Sequence, residues 1–347
     1  MKKINNRYNT IVVVFFAFTL LTACERTELC YDHYPSLTLG LTWEHEWERD
    51  YGMNHAANWD ATLHGFEYDD IRPERPEWVN MVINKPDGTT GEKYLGPEGG
   101  KINVELGGGQ SYLLYNGDTE YILLSDMASM SEARATATSR SRSGMVYINE
   151  HHPSARSTNP PDVLYAAYVG NAPSFNVHDH HSLDVKMQPL VYTYVIRYEF
   201  EYGLEHISLA RGALGGMAES VYLRDGRTSD NSSIILYDCE LTSYGCEAHV
   251  RTFGIPGFPD EYYGRAESEI TDRPYSLNLE VLLKNGKTFE FNYDIADQMK
   301  KQPRGGLIIV SGLRVEDQIG ESESGFDVDV TDWPEHDVID LPIEVQP

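Results

Sequence analysis

The sequence predicts an all-β protein of two tandem β-sandwich domains, and three observations predict it. Tyrosine outnumbers phenylalanine by 23 to 11 in a chain with 29 glycines and 17 prolines, the composition of strands broken by frequent turns. Apolar residues recur at every second position in several short runs, the period of a half-buried strand. The 347 residues exceed what one core encloses, so two domains of about 150 residues are expected.

A leader precedes the domains. The apolar core from Ile11 to Leu21 holds 11 residues, whereas a bilayer-spanning helix needs roughly 20. Lys2, Lys3 and Arg7 stand ahead of it with no acidic residue, the layout of a bacterial secretory signal. Its exit, Leu21-Thr22-Ala23-Cys24, resembles a lipobox, in which a peptidase cleaves before a cysteine whose thiol carries diacylglycerol. The expectation is a signal peptide over 1–23, a lipidated Cys24 and an outer-membrane protein, lipid-anchored and facing the cell exterior; the simpler alternative is an ordinary signal cleaved near Ala23. Loss of the three leader cations takes the formal charge from −26 to −29. Such a chain repels nucleic acid and anionic headgroups alike, so its membrane partner is held through lipid rather than through charge.

Residues 24–40 read as a tether, 41–180 as the first domain and 181–347 as the second. The acid- and tryptophan-rich text up to Pro76 is irregular. Strands are expected at Trp78–Ile83, ahead of the turn Pro86-Asp87-Gly88, at Lys101–Leu106, and at "SYLLYN" and "EYILLS" on either side of Gly117-Asp118. "SEARATATSRSRSG", with Arg134, Arg140 and Arg142 among small residues, reads as an exposed loop. "PPDVLYAAYVG" fits a short helix or a strand. The polar stretch Phe175–Asp184 reads as the linker between domains.

In the second half, Tyr192, Tyr194, Ile196, Tyr198 and Phe200 alternate with Thr193, Arg197 and Glu199, a half-buried strand. Leu277, Leu279, Val281 and Leu283 alternate up to Asn285-Gly286, and Phe289, Phe291 and Tyr293 resume beyond it, a hairpin with a type I′ turn. "LIIVSGLRV" adds a buried strand, and "DIADQMKK" is helical.

Motif chemistry is sparse. There is no G-x-S-x-G elbow; His45-Glu46-Trp47-Glu48-Arg49 lacks the second histidine of a zinc protease; Gly286-Lys287-Thr288 lacks the leading glycine of a phosphate loop, since position 281 is Val. His178, His180 and His181 around Asp179 read as a solvated polar stretch rather than a metal site, and Asp327, Asp329 and Asp332 as an acidic strand face rather than a calcium loop. No catalytic, metal or cofactor group is expected. With Cys24 assigned to lipid, Cys239 and Cys246 stand close enough for a local disulfide and Cys30 is left over. Trp43, Trp47, Trp59 and Trp78 suit core packing, or a platform that stacks on sugar rings.

One stretch is distinctive: Ile207 to Ala218, "ISLARGALGGMA", followed by Val221-Tyr222-Leu223. It resembles the fimbrillin-type lipoproteins of Bacteroidales, and "HVRTFGIPG", "LNLEVLLKNGKTFEFNYDIADQ" and "GFDVDVTDW" extend the match over most of residues 185–333. The first half, with "CYDHYPSLTLGLTWEHEWE" and "TEYILLSD", is similar to a branch of that superfamily carried as a domain of unknown function. The resemblance implies transthyretin-like Greek-key sandwiches and a non-enzymatic anchor or accessory subunit of a fimbria-like structure. Other fimbrillin-type subunits would be its partners, joined by strand addition. Ile339, Leu341, Ile343 and Val345 share one face of the tail and form the strand-addition candidate, with Pro342 restricting it to a sheet edge; the plainer reading has the tail close its own sheet. The alternative function is glycan binding for a polysaccharide uptake system.

Overall fold

The computed structural model describes residues 35–44, 67, 75–176, 179–259, 273–300 and 302–316. The first strands are β1 (Ser36–Trp43), β2 (Val79–Asn84), β3 (Thr90–Leu95), β4 (Gly99–Asn103), β5 (Ser111–Asn116), β6 (Ile122–Ser125) and β7 (Arg134–Ala137). Helix α1 (Val146–His151) precedes β8 (Arg156–Thr158), β9 (Tyr165–Val169) and β10 (His180–Pro189). Then come β11 (Tyr192–Tyr202), β12 (Ile207–Ala218), β13 (Ser220–Tyr222), β14 (Ser232–Leu241), β15 (Gly245–Thr252), β16 (Ser276–Leu283), β17 (Thr288–Asp294), helix α2 (Ala296–Lys300) and β18 (Gly306–Arg314). The fold is all-β.

Two strand systems are built alike. The first runs β3-β2-β5-β9-β10-β1-β4, and the second β17-β16-β12-β14-β15-β11-β18. In each, one long strand turns the corner between two layers. β10 pairs in parallel with β1 from His180 to Met187 and then antiparallel with β9 at Gln188 and Pro189. β14 pairs with β12 from Ser232 to Cys239 and then with β15 at Glu240 and Leu241. The layers close on their own cores, Leu37, Leu39, Met81, Tyr112 and Leu114 in the first, and Tyr194, Tyr198, Leu214, Leu277 and Leu279 in the second.

Several expectations are corrected. The supposed linker at Phe175–Asp184 is part of the first core: Phe175 is buried and bridges Gly107, and His180–Asp184 begin β10 beside β1. It reads as polar because the outward half of this strand is exposed and the inward residues become fully apolar only from Val185. The proposed boundary at 180/181 thus falls within one strand, and the chain passes between the two systems at Leu190-Val191. The supposed loop at 131–144 contains β7, whose Ala135 and Ala137, with Ala133 just ahead of them, are buried against Ile122, Val221 and Leu223. Methyl groups give a weak hydrophobic signal, and the bulk comes from their neighbours. β11 is buried on both faces from Tyr192 to Tyr198: Tyr194, Ile196 and Tyr198 enter the core, and on the other face Arg197 is covered by Tyr244 and Glu247. The strand expected at 101–106 is β4, ending at Asn103, and the ambiguous "PPDVLYAAYVG" contains β9.

The hairpin at Asn285-Gly286 is present, but its turn is not type I′. Gly286 alone has positive φ, +85°, and its N–H donates to Leu283 O at 2.9 Å while Leu283 N–H donates to Lys287 O at 2.8 Å. This is a type I turn followed by a left-handed glycine bulge. Lys85-Pro86-Asp87-Gly88 repeats it, with Gly88 at +84°.

The two halves interlock. β7 pairs with β13 of the second half, and β8 pairs in parallel with β14. Met145 and α1's Ile148 cover Ala213, Ile234 and Leu236 on the outer face of the second sandwich. His152, 5 % exposed, sits in a notch of β12 made by Gly215-Gly216 and shares a hydrogen bond with Ser276 Oγ at 3.1 Å. A Cβ at Gly215 would lie 2.6 Å from the imidazole, and Gly216, at φ +94°, approaches the Pro274 carbonyl. The Gly-Gly of the distinctive stretch is therefore a socket for a side chain from the other half.

Candidate strand-accepting edge

Because β14 turns the corner on one side of the second sandwich, both of its layers end on the opposite side. There, among the described residues, β17 pairs only with β16, and β18 only with β11. A strand edge leaves every second residue's N–H and C=O unpaired, so both edges are places where another strand can add.

The two edges differ. β18 is apolar and parallel to β11, and α2 lies between it and β17 with Ile295 and Met299 buried in the core. Gln302 Oε1 accepts from Leu307 N–H at 2.6 Å, and its Nε2 donates to Leu307 O at 3.0 Å. Gln298 does the same at Ile309, with both bonds at 3.3 Å. Each carboxamide satisfies the two outward groups of one strand residue, as a neighbouring backbone would. Gly306 makes room, since a Cβ there would lie 1.8 Å from Gln302 Oε1. Further along, β18 bulges between Val310 and Leu313 with Gly312 at φ +81°, which ends regular pairing.

Among the described residues β17 carries no such cover. Counting rungs from the Leu283–Lys287 bond, Phe289, Phe291 and Tyr293 exchange hydrogen bonds with β16, so Thr288, Glu290 and Asn292 direct theirs outward. Among the described residues no backbone partner meets these three. Inward, Phe289 and Phe291 are half-buried, and Phe291 meets Phe200 edge-on at 6.3 Å. The opposite face is braced by buried Asn278, whose Nδ2 donates to Glu290 Oε1 at 2.7 Å and Asn292 Oδ1 at 2.8 Å. Its Oδ1 accepts from Arg142, which also donates to Gly212 O at 3.2 Å. Burial lowers the Arg142 pKa, and Glu280 works against that.

The residues singled out in the sequence fall as follows. Cys24, Cys30 and the tail candidates Ile339, Leu341, Ile343 and Val345 lie outside the described residues, as do Trp47, Trp59 and His178. Cys239 and Cys246 are free thiols brought together on adjacent strands; a hydrogen bond to Cys246, then burial, raises the Cys239 pKa. His180 shares a hydrogen bond with Ser36 at 2.6 Å and His181 packs edge-on against Phe175. Among the described residues no three His, Cys, Asp or Glu side chains converge as metal ligands. Trp43 packs on Tyr165 and donates to Pro97 O, and Trp78 packs beside Tyr94. The two glutamines were not singled out from sequence, although Gln298 and Gln302, one helical turn apart ahead of Gly305-Gly306 and an apolar run, supplied a signal.

Comparison with solved structures supports the fold. A candidate adhesin from Bacteroides ovatus superposes with a TM-score of 0.55 at 18 % identity, covering 86 % of this chain and 99 % of that one. Two others superpose at 0.45 and 9 % identity, each covering 80 % of this chain and 90 % of its own. They are the fimbrial anchor protein Mfa2 of Porphyromonas gingivalis and a candidate polysaccharide-binding protein of Bacteroides thetaiotaomicron. At these identities the likeness concerns fold, and the 0.45 matches carry no further weight. No curated protein matches the sequence. A family model covers residues 65–238, half of the chain, spanning β2–β13 and most of β14. The chain belongs to the family described as a domain of unknown function, DUF5119.

Proposed function

We propose that this chain is a non-enzymatic, lipid-anchored surface protein that serves as an anchor or accessory subunit of a fimbria-like structure through strand addition. The observation that carries this reading is the β17 edge, which among the described residues meets no further strand and has a half-buried aromatic face, whereas Leu307 and Ile309 on the β18 edge are capped by Gln302 and Gln298. An added strand gains main-chain hydrogen bonds at Thr288, Glu290 and Asn292, and alternate side chains set its register. The likeness in fold to a candidate adhesin and the lipobox-like leader agree with it. The anchor role places Cys24 in the membrane by its lipid, and the tail around Ile339–Val345 is the segment offered to a partner. Deleting residues 338–347 tests this: the unfolding transition stays where it was and co-purification with other subunits is lost. A second sandwich that no longer unfolds cooperatively would instead assign the tail to its own sheet.

Glycan binding keeps one supporting observation, Tyr94, 68 % exposed beside Trp78 on the β2–β3 hairpin, a pair able to stack on sugar C–H faces. A saturable change in tryptophan fluorescence on polysaccharide titration, lost in Trp78→Ala, is its signature.

A further inference from the structure

Resting on the strand-addition reading, we propose that Gln298 and Gln302 decide which edge of the second sandwich takes a strand, by closing β18 and leaving β17. The glutamine bonds are matched to the edge they cover. Leu307 and Ile309 are alternate residues of β18, and each meets one carboxamide that both accepts its N–H and donates to its C=O. One carboxamide per outward residue reproduces the bonding of an adjacent strand at those two positions.

The support beneath the pair is specific. Gln298 is 8 % exposed on α2, which is held in the core by Met299. Gln302 also donates from Nε2 to Gln298 O at 3.2 Å, and its own C=O accepts from Tyr194 Oη at 2.5 Å. Gly306 provides the space its carboxamide occupies. The bulge at Gly312 ends the regular pairing beyond Val310. Among the described residues, an incoming strand thus finds the two regular outward positions of β18 taken and three on β17 unoccupied. The partner that fits β17 is an extended segment with apolar residues at alternate positions to extend the Phe289–Phe291 face.

The test is residue-resolved amide hydrogen exchange on the full mature chain, alone and with a synthetic peptide of residues 336–347 as the probe strand. Alone, the Leu307 and Ile309 amides exchange slowly, and in Gln298→Ala/Gln302→Ala they exchange about tenfold faster. If the double variant does not fold, Gln302→Ala alone reads the same effect at Leu307. With peptide, the wild-type chain gains protection at Thr288, Glu290 and Asn292 only, and the double variant gains it at Leu307 and Ile309 as well. Peptide protection of Leu307 and Ile309 in the wild type, or unchanged exchange there in the variant, overturns the proposal. Peptide protection at neither edge in either protein overturns both the edge choice and strand addition by this tail, while the closure of β18 is still decided by the exchange measured without peptide.

Discussion

His152 shows how one side chain ties the halves of the molecule together. Burial holds its imidazole neutral and lowers its pKa from 6.5 to about 4. The unfolded chain therefore takes up this proton first as pH falls, so the stability contribution is fully present above about 6.5 and is lost progressively down to about 4. The loss amounts to at most about 3 kcal/mol. Urea midpoints at pH 7.5 and 4.5 are expected to differ in the wild type and to converge in His152→Gln. At Glu247 burial raises the carboxyl pKa, but hydrogen bonds from His249, Tyr244 and Arg197 outweigh it and bring the value to about 2. Its contribution is present above about 4.5 and lost only below that, which separates the two windows. Gly216→Ala meets both a left-handed backbone and the Pro274 carbonyl 2.5 Å away, and is expected to cost about 2–4 kcal/mol, read as a lowered urea midpoint. The sequence showed this Gly-Gly as part of a resemblance. Its reason was hidden because the imidazole that needs the space comes from a residue more than sixty positions earlier.

At the scale of elements, the parts legible in the sequence are those whose apolar face is carried by large side chains at alternate positions. The β16–β17 hairpin is one, with Leu277, Leu279, Val281 and Leu283 buried as their alternation predicts. β7 was missed because alanines do its packing, and the first half of β10 because its outward residues dominate the text. The turn at Asn285-Gly286 was located but mistyped: the pair allows several turn types, and the rung from Lys287 to Leu283 selects the bulged one. The candidate edge was legible only as a pair of strands, since whether an edge is covered depends on side chains from α2. Cys239 and Cys246 lie at the β14–β15 corner, where Leu241 faces Cys246. Their contact predicts that an oxidising glutathione buffer closes them to a disulfide, with glutathione disulfide reduced in exchange. Iodoacetamide under denaturing conditions is then expected to label both thiols before oxidation and neither after it; unchanged labelling would show the pair to be packing groups only.

The whole molecule is two sandwiches held as one piece by the crossing of residues 134–158, which lends strands to both halves and covers Ala213, Ile234 and Leu236. The division between the two strand systems was misplaced because the polar first half of β10 reads as a linker although it pairs with β1. Among the described residues β17 and β18 of the second sandwich, like β3 and β4 of the first, pair on one side only. The most direct measurement is cross-linking of the tagged chain in the producing bacterium, followed by native pull-down and identification of the cross-linked peptides by mass spectrometry. The account predicts other fimbrial subunits joined to this chain through Lys287 at the head of β17 or through its C-terminal tail. Recovery of an outer-membrane transporter with glycan-binding lipoproteins, cross-linked around Lys93 beside Tyr94, would contradict it.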